Sequence, residues 1–201
     1  MPAICGYNPL SVSTHFTQIS DAQPVALICH PDTPCRSVRR IDVEIHQPIE
    51  TSFELRYRVE GDIARLIVPA QVTPRRADKL WQHTCFEAFV AEEDVALGYR
   101  EFNFAPSTEW AIYQFSGYRN GMTVVDVEHA PSIAVQRASD HLLVIARVDL
   151  EPLSDLDRNH RLRLAVAAVI EESDGRISYW ALAHPPGKPD FHHADGFVVT
   201  L

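Results

Sequence analysis

The chain of 201 residues carries a formal net charge of −9 at pH 7, and 46% of its residues are hydrophobic and 22% charged. This length and apolar content suit one folded domain with a single core, and they exclude a disordered chain. The negative charge argues against a nucleic-acid partner, and no stretch reaches the ~20 apolar residues of a membrane span, so we expect neither nucleic acid nor a membrane as a partner.

The first part of the chain, residues 1–24, is polar, aperiodic and interrupted by proline, which predicts a poorly structured N-terminal lead-in. Residues 25–201 are predicted to form a single domain. The N-terminal stretch MPAICGYNPLSVSTHFTQ lacks both the basic part and the continuous apolar part of a secretory signal, which favours a cytoplasmic location. The cysteines form no CxxC pair, so we expect reduced thiols.

From Val25 onward the chain alternates between apolar and polar residues in short segments, which is typical of half-buried strands. In TSFELRYRVE every second residue from Phe53 to Val59 is apolar, and this predicts a strand. The turn residues Gly61 and Asp62 follow, so the segment 63–68 is predicted to be the second strand of a hairpin.

The later part of the chain continues this pattern. Residues 132–137 and 141–149 flank a short turn and predict another hairpin, and RLRLAVAAVI from Arg161 is apolar enough for a central strand. Residues 151–159 could form one helical turn. Many short strands, with 14 prolines and 8 glycines marking the turns, predict an all-β fold, an antiparallel β-sandwich of the jelly-roll kind.

The segment LWQHTCFEAFV, residues 80–90, is predicted to be one strand with two different faces. One face would carry Phe86, Ala88 and Val90, and the other would carry Trp81, His83, Cys85, Glu87 and Phe89. The second face is expensive to bury because it includes a carboxylate. An indole ring beside hydrogen-bonding groups suits a sugar. The alternative is that Trp81 covers a sheet edge and Glu87 pairs with an arginine.

Three stretches of the sequence resemble parts of bacterial DOMON-like domain proteins: LWQHTCFEAFVA, YREFNFAPSTEWAIYQFSGYR and YWALAHPPGKPDFHHADGFVV. The strand tryptophan with a glutamate six residues later is also similar to the core pattern of family 9 carbohydrate-binding modules. The resemblance covers about residues 25–201 and implies a β-sandwich that binds a sugar or haem. It further implies that Trp81 and Glu87 contact the ligand, with Trp180 as the candidate for a second stacking tryptophan.

The matching stretches supply further candidates with suitable chemistry. The ligand-binding candidates besides Trp81 and Glu87 are Asn103, Trp110, Trp180 and His184. The histidine-rich segment AHPPGKPDFHHADGF is interpreted as a structural loop, a polar rim of the ligand site or, through His184, Asp190 and His192, a weak metal site. Haem would need a methionine ligand, and Met122 lies in a turn where packing is its expected role. We therefore predict no cofactor, with haem or a divalent metal as the alternative.

The sequence contains no GxSxG, P-loop or GxGxxG motif, so the main hypothesis is a non-catalytic domain that binds a small molecule, a saccharide. Two catalytic hypotheses remain. Glu87 and Glu101 could be the paired carboxylates of a glycoside hydrolase, and Cys85 near His83 could be a nucleophilic thiol. A binding alternative is a protein-interaction domain or homodimer with Trp81 and Trp110 as aromatic anchors.

Overall fold

The computed structural model describes residues 24–49, 51–92, 98–150 and 162–201, and the regular structure in these ranges consists of β-strands and three-residue 3-10 helices. The strands are β1 (Val25–Cys29), β2 (Val38–Ile49), β3 (Ser52–Gly61), β4 (Cys85–Ala91), β5 (Tyr99–Phe104), β6 (Trp110–Phe115), β7 (Thr123–Val124), β8 (Ser132–Arg137), β9 (His141–Asp149), β10 (Arg163–Glu171), β11 (Ile177–Ala181) and β12 (Val199–Thr200). The 3-10 helices are Ile63–Arg65, Leu80–Gln82 and Ala194–Gly196.

The strands form two antiparallel layers that are continuous through one strand. Layer A has the order β2-β3-β9-β8, and layer B has the order β7-β6-β5-β4-β10-β11, with β12 beside the start of β10. Strand β1 pairs with β2 through residues 25–27 and with β11 through residues 28–29. The sheet therefore curls at β1 and folds back on itself, which confirms the predicted all-β antiparallel sandwich.

The main core lies between the inner faces of the two layers. Phe53 of layer A meets Phe102 of layer B edge to face, with ring centroids 5.7 Å apart. Tyr57 packs on Phe86 at 4.9 Å, and its hydroxyl donates a hydrogen bond of 2.8 Å to the backbone oxygen of Glu87. A buried hydroxyl needs such a partner, so this bond ties layer A to the strand that carries Glu87.

Several strand predictions are confirmed. The hairpin formed by β8 and β9 pairs Ser132 with Arg147 and Arg137 with Leu142, and the predicted central strand is β10, which lies between β4 and β11. The prediction of a strand at 63–68 is wrong, because the chain turns through the 3-10 helix Ile63–Arg65 after β3. Its buried Ile63 joins the core, and Leu66 makes only an isolated bridge to Glu172, just after β10.

Two predictions concern residues that lie outside the described ranges. These are the poorly structured lead-in, of which only Pro24 is described, and the helical turn at 151–159. In the part of the chain that the structure describes, no helix is long and apolar enough to cross a membrane.

Candidate ligand-binding site

The outer face of layer B, which is turned away from the main core, carries a cavity of about 440 Å³. Glu87 of β4 lies at its floor, opposite Asn103 of β5 on one side and Ala167 of β10 on the other. Three segments supply the walls: the 3-10 helix Leu80–Gln82, residues 116–122 (the β6–β7 loop) and residues 182–198 (the C-terminal loop). The lining residues are Trp81, Glu87, Glu101, Phe115, Arg119, Met122, Val169, Tyr179, Pro189, Phe191 and His192.

Trp81 reaches the cavity from a turn and not from a strand. Lys79 adopts a left-handed conformation with φ of 62°, and a 3-10 turn follows, so β4 begins only at Cys85. The prediction of one strand from residue 80 is therefore wrong, and His83 is exposed, with its Nδ1 2.7 Å from Glu171. The indole packs edge to face on Tyr113 with centroids 5.7 Å apart, which fixes the ring at the cavity wall.

Two carboxyl groups are buried together in the cavity, Glu87 with 3% and Glu101 with 5% of its surface exposed. They occupy diagonal positions on β4 and β5, because Glu87 is opposite Asn103 and Glu101 is opposite Phe89. Burial and the charge of Glu101 raise the pKa of Glu87 well above its usual range. Burial also raises the pKa of Glu101. The pair therefore resists carrying two negative charges.

The partners of the two carboxyl groups differ. Asn103 donates a hydrogen bond of 2.6 Å from Nδ2 to Oε1 of Glu101, and its own Oδ1 is 3.6 Å from Sγ of Cys85. Oε1 of Glu87, in contrast, is buried without a hydrogen-bond partner. Burial raises the pKa of the Cys85 thiol well above its usual range, so this group is a neutral packing residue beneath the cavity. Glu87 thus carries an acceptor that a ligand can satisfy.

His192 is held in one tautomer by its neighbours. The backbone N–H of Arg119 donates to Oη of Tyr99 at 3.1 Å, so the tyrosine proton points to Nδ1 of His192, which lies 2.8 Å from Oη. The imidazole then carries its proton on Nε2, 3.8 Å from Oε2 of Glu101. Burial lowers the pKa of His192 to about 4. At neutral pH His192 is therefore an uncharged donor that faces the carboxyl pair.

Asp190 attaches the C-terminal loop to the β6–β7 loop. Its carboxylate accepts hydrogen bonds from Nε and Nη2 of Arg119 at 3.1 and 2.7 Å and from the hydroxyl of Tyr118. It also accepts from the backbone N–H of His192 at 3.1 Å. This cluster of four residues, which we call the latch, positions both Arg119 and His192 at the cavity.

The structure brings Trp81 and Glu87 together at the cavity, with Asn103 directly beneath it. Trp110 and Trp180 belong to the main core between the layers, and Nε1 of Trp180 donates to Oγ of Ser178 at 3.0 Å. Neither indole is therefore placed to stack on a ligand in the cavity. The same burial leaves Trp110 unable to serve as a surface anchor for a protein partner.

His184 lies in a separate groove of about 470 Å³ beside His30, with ring centroids 4.8 Å apart, and its Nε2 is 2.8 Å from the backbone oxygen of Ile28. Asp190 and His192 lie at the outer-face cavity, so these three metal candidates do not converge. In the described ranges no group of three or more His, Cys, Asp or Glu side chains is placed to hold a metal ion.

Sequence reasoning assigned no ligand-binding role to most of the cavity walls. The cavity-lining residues that it did not single out are Phe115, Arg119, Met122 and Tyr179, whereas Phe191 and His192 belong to the segment that was considered as a polar rim of the ligand site. One local signal was available, since Asn120-Gly121 marks a tight turn, and Gly121 has φ of 64° with a Cβ position only 2.1 Å from Oγ of Ser116. This turn directs Arg119 and Met122 over the sheet.

Neither a known protein family nor a curated protein matches this chain in sequence. The fold is similar to that of a protein from Bacteroides uniformis to which carbohydrate binding has been ascribed, with a TM-score of 0.60 and 13% identity over 87% of this chain and 83% of that chain. A family 9 carbohydrate-binding module from Caldicellulosiruptor kristjanssonii, solved with cellotriose and with glucose, gives TM-scores of 0.47 and 0.46 at 13% identity. These matches cover 81% and 77% of this chain and 75% and 72% of those chains.

Proposed function

We propose that the protein binds a small saccharide, without transforming it, in the cavity on the outer face of layer B. The observation that carries this proposal is the pairing of the Trp81 ring at the wall with the unpaired, buried Oε1 of Glu87 at the floor. A volume of about 440 Å³ lies in the range of small-molecule sites. The shared fold with the Bacteroides uniformis protein concerns architecture, so the choice of ligand rests on the chemistry of the cavity.

The lining supplies both kinds of contact that a sugar needs. A sugar ring has C–H groups that pack on aromatic rings, and Trp81, Phe115, Tyr179 and Phe191 offer such surfaces. Its hydroxyl groups donate to carboxylates and accept from N–H groups, for which Glu87 and the Nε2 proton of His192 are placed. A purely apolar ligand would leave Glu87 without a partner, and this would cost affinity.

Trp81→Ala is expected to weaken the binding of a neutral saccharide by about fivefold to tenfold, because it removes the aromatic wall. Trp81 is only partly buried and lies outside the main core, so the fold is expected to persist. A panel of neutral mono- and disaccharides is screened by the rise in melting temperature, and the best ligand is then titrated calorimetrically with wild type and variant.

His83→Ala is the matched control for this experiment. His83 is two residues from Trp81 and contacts Glu171 away from the cavity, so its removal should leave the affinity unchanged. Equal affinities of wild type and Trp81→Ala would remove Trp81 from the site. Failure of every saccharide tested, neutral or charged, to bind would refute the proposed function.

A further inference from the structure

The two acidic groups that line the cavity have no cation of their own among the residues that the structure describes. Glu87 and Glu101 are two acidic groups, and the described lining offers one permanent cation, Arg119, which is already paired with Asp190 at 2.7 Å. His192 does not compensate, since burial lowers its pKa to about 4 and leaves it neutral at physiological pH. No described side chain supplies a cation for Glu87 and Glu101 alone, so the pair avoids carrying two negative charges by retaining a proton.

Glu87 indicates independently that a donor belongs in this space. Only 3% of the surface of this residue is exposed, and it lines the cavity, yet its Oε1 has no hydrogen-bond partner. Buried carboxylates in proteins are normally paired or hydrogen-bonded, because an unsatisfied one is costly. Tyr57 donates its hydrogen bond to the backbone oxygen of Glu87 from the opposite side of the sheet, and this bond does not involve the carboxyl group.

We infer that the ligand is a sugar with a protonated amino group, a hexosamine, whose ammonium group binds between Glu87 and Glu101. This inference rests on the proposed function and specifies the ligand class of the same cavity. An ammonium group brings three donors and a positive charge, whereas a hydroxyl group brings one donor and leaves the acidic pair uncompensated. The rings of Trp81, Tyr179 and Phe191 favour a cation as well, because their faces are electron-rich.

The test compares four compounds at neutral pH by calorimetry: glucosamine, glucose, N-acetylglucosamine and cyclohexylamine. Glucose lacks the amino group, the N-acetyl sugar has lost its charge, and cyclohexylamine keeps the ring and the ammonium group but has no hydroxyl groups. We expect glucosamine to bind about tenfold to a hundredfold more tightly than glucose, because a charge-assisted hydrogen bond in a buried site increases affinity by about this factor. Glucosamine should also bind more tightly than N-acetylglucosamine and cyclohexylamine.

Glu87→Gln is expected to reduce the ratio of glucosamine to glucose affinity to near one, since glutamine retains the shape but not the charge. Glu171→Gln is the matched control. Glu171 lies two residues after the cavity residue Val169 on the same face of β10, but it contacts exposed His83 and does not line the cavity. Its ratio should equal that of the wild type.

The outcomes separate this inference from the function on which it rests. Glucose binding as tightly as glucosamine, or a ratio that survives Glu87→Gln, overturns the inference and leaves saccharide binding standing. Binding of cyclohexylamine alone supports the ammonium site and refutes the saccharide. Absence of binding by all four compounds and by the neutral panel refutes both.

Discussion

Replacing Glu87 by glutamine is expected to raise the free energy of unfolding at neutral pH by about 1–2 kcal/mol, although the same change weakens ligand binding. The reason is that Glu87 is a buried ionisable carboxyl group beside Glu101. Glutamine has the same size and cannot ionise, so it removes the cost of keeping a proton on this buried carboxyl group at neutral pH. A gain of this kind on losing a functional group is characteristic of binding sites.

The pH dependence of this gain follows from the raised pKa of Glu87. The folded protein retains a proton on Glu87 that the unfolded chain releases near its ordinary pKa, so the wild type loses stability as the pH rises above about 4.3. The difference between variant and wild type should therefore be small near pH 4 and should grow toward neutral pH. The groups that face Glu87 are Cys85 on its own strand, Glu101 and Asn103 on β5, Arg119 of the β6–β7 loop and His192 of the C-terminal loop.

Urea denaturation at a series of pH values measures this difference, and thermal unfolding should shift by about 2–4 °C for each kcal/mol. Glu54→Gln is the matched control with the opposite sign. Glu54 is also buried, but hydrogen bonds from Arg147 and Arg56 overcome the effect of burial and lower its pKa. The Glu54 carboxylate stabilises the folded protein above the ordinary carboxyl pKa, and this contribution is lost on acidification. Glu54→Gln should therefore lower the free energy of unfolding at neutral pH. A Glu87→Gln variant that is less stable than wild type at neutral pH would contradict the account.

The strand faces of layer B could be predicted because they depend on local periodicity. Phe86, Ala88 and Val90 do point into the main core, and Glu87 does lie on the other face. Trp81 reaches the cavity for a different reason, since the conformation of Lys79 bends the chain before β4. Periodicity carries no information on such a bend, so Trp81 lines the same cavity as Glu87 through a local structure that differs from the predicted strand.

The side on which each tryptophan lies could not be predicted from alternation. Trp110 and Ile112 share one face of β6, and Tyr113 and Phe115 share the other. Both faces are apolar because loops cover the outer side of layer B, and alternation between two apolar sets does not show which one faces layer A. The same ambiguity applies to Trp180, which lies in the main core.

The walls made by the loops were beyond sequence reasoning for another reason. Arg119 and Asp190 are 71 residues apart, and their contact depends on the positions of two loops that the sheet brings together. A pair at such a separation leaves no periodic signal. For the same reason the sequence left His192 open between a structural loop, a rim of the ligand site and a metal site, and its neighbours Tyr99 and Glu101 on β5 place it at the cavity.

Asp190→Ala is expected to lower ligand affinity by about tenfold to thirtyfold while leaving the main core folded. The change deletes the acceptor of the latch, which serves Arg119, Tyr118 and the backbone of His192. Each such hydrogen bond contributes about 1 kcal/mol, and the solvent exposure of Arg119 reduces the effect of its charge. Without the latch the C-terminal loop should open more often, and Phe191 and His192 would then leave the cavity wall.

Hydrogen exchange distinguishes this local effect from a loss of global stability, because local opening exposes amides of the loop without exposing those of the core. In Asp190→Ala the amides of residues 184–198 should exchange faster, and those of β4 and β10 should exchange as in the wild type. Asp174→Ala removes a carboxylate that pairs with Arg176 on the exposed turn after β10, so it should change neither the affinity nor the exchange of the loop.

If the latch acts as a unit, Arg119→Ala combined with Asp190→Ala should lower the ligand affinity little more than either change alone. Unchanged loop exchange in Asp190→Ala would show that other contacts, such as the packing of Phe197 on Phe89 and Tyr99, hold this wall in place.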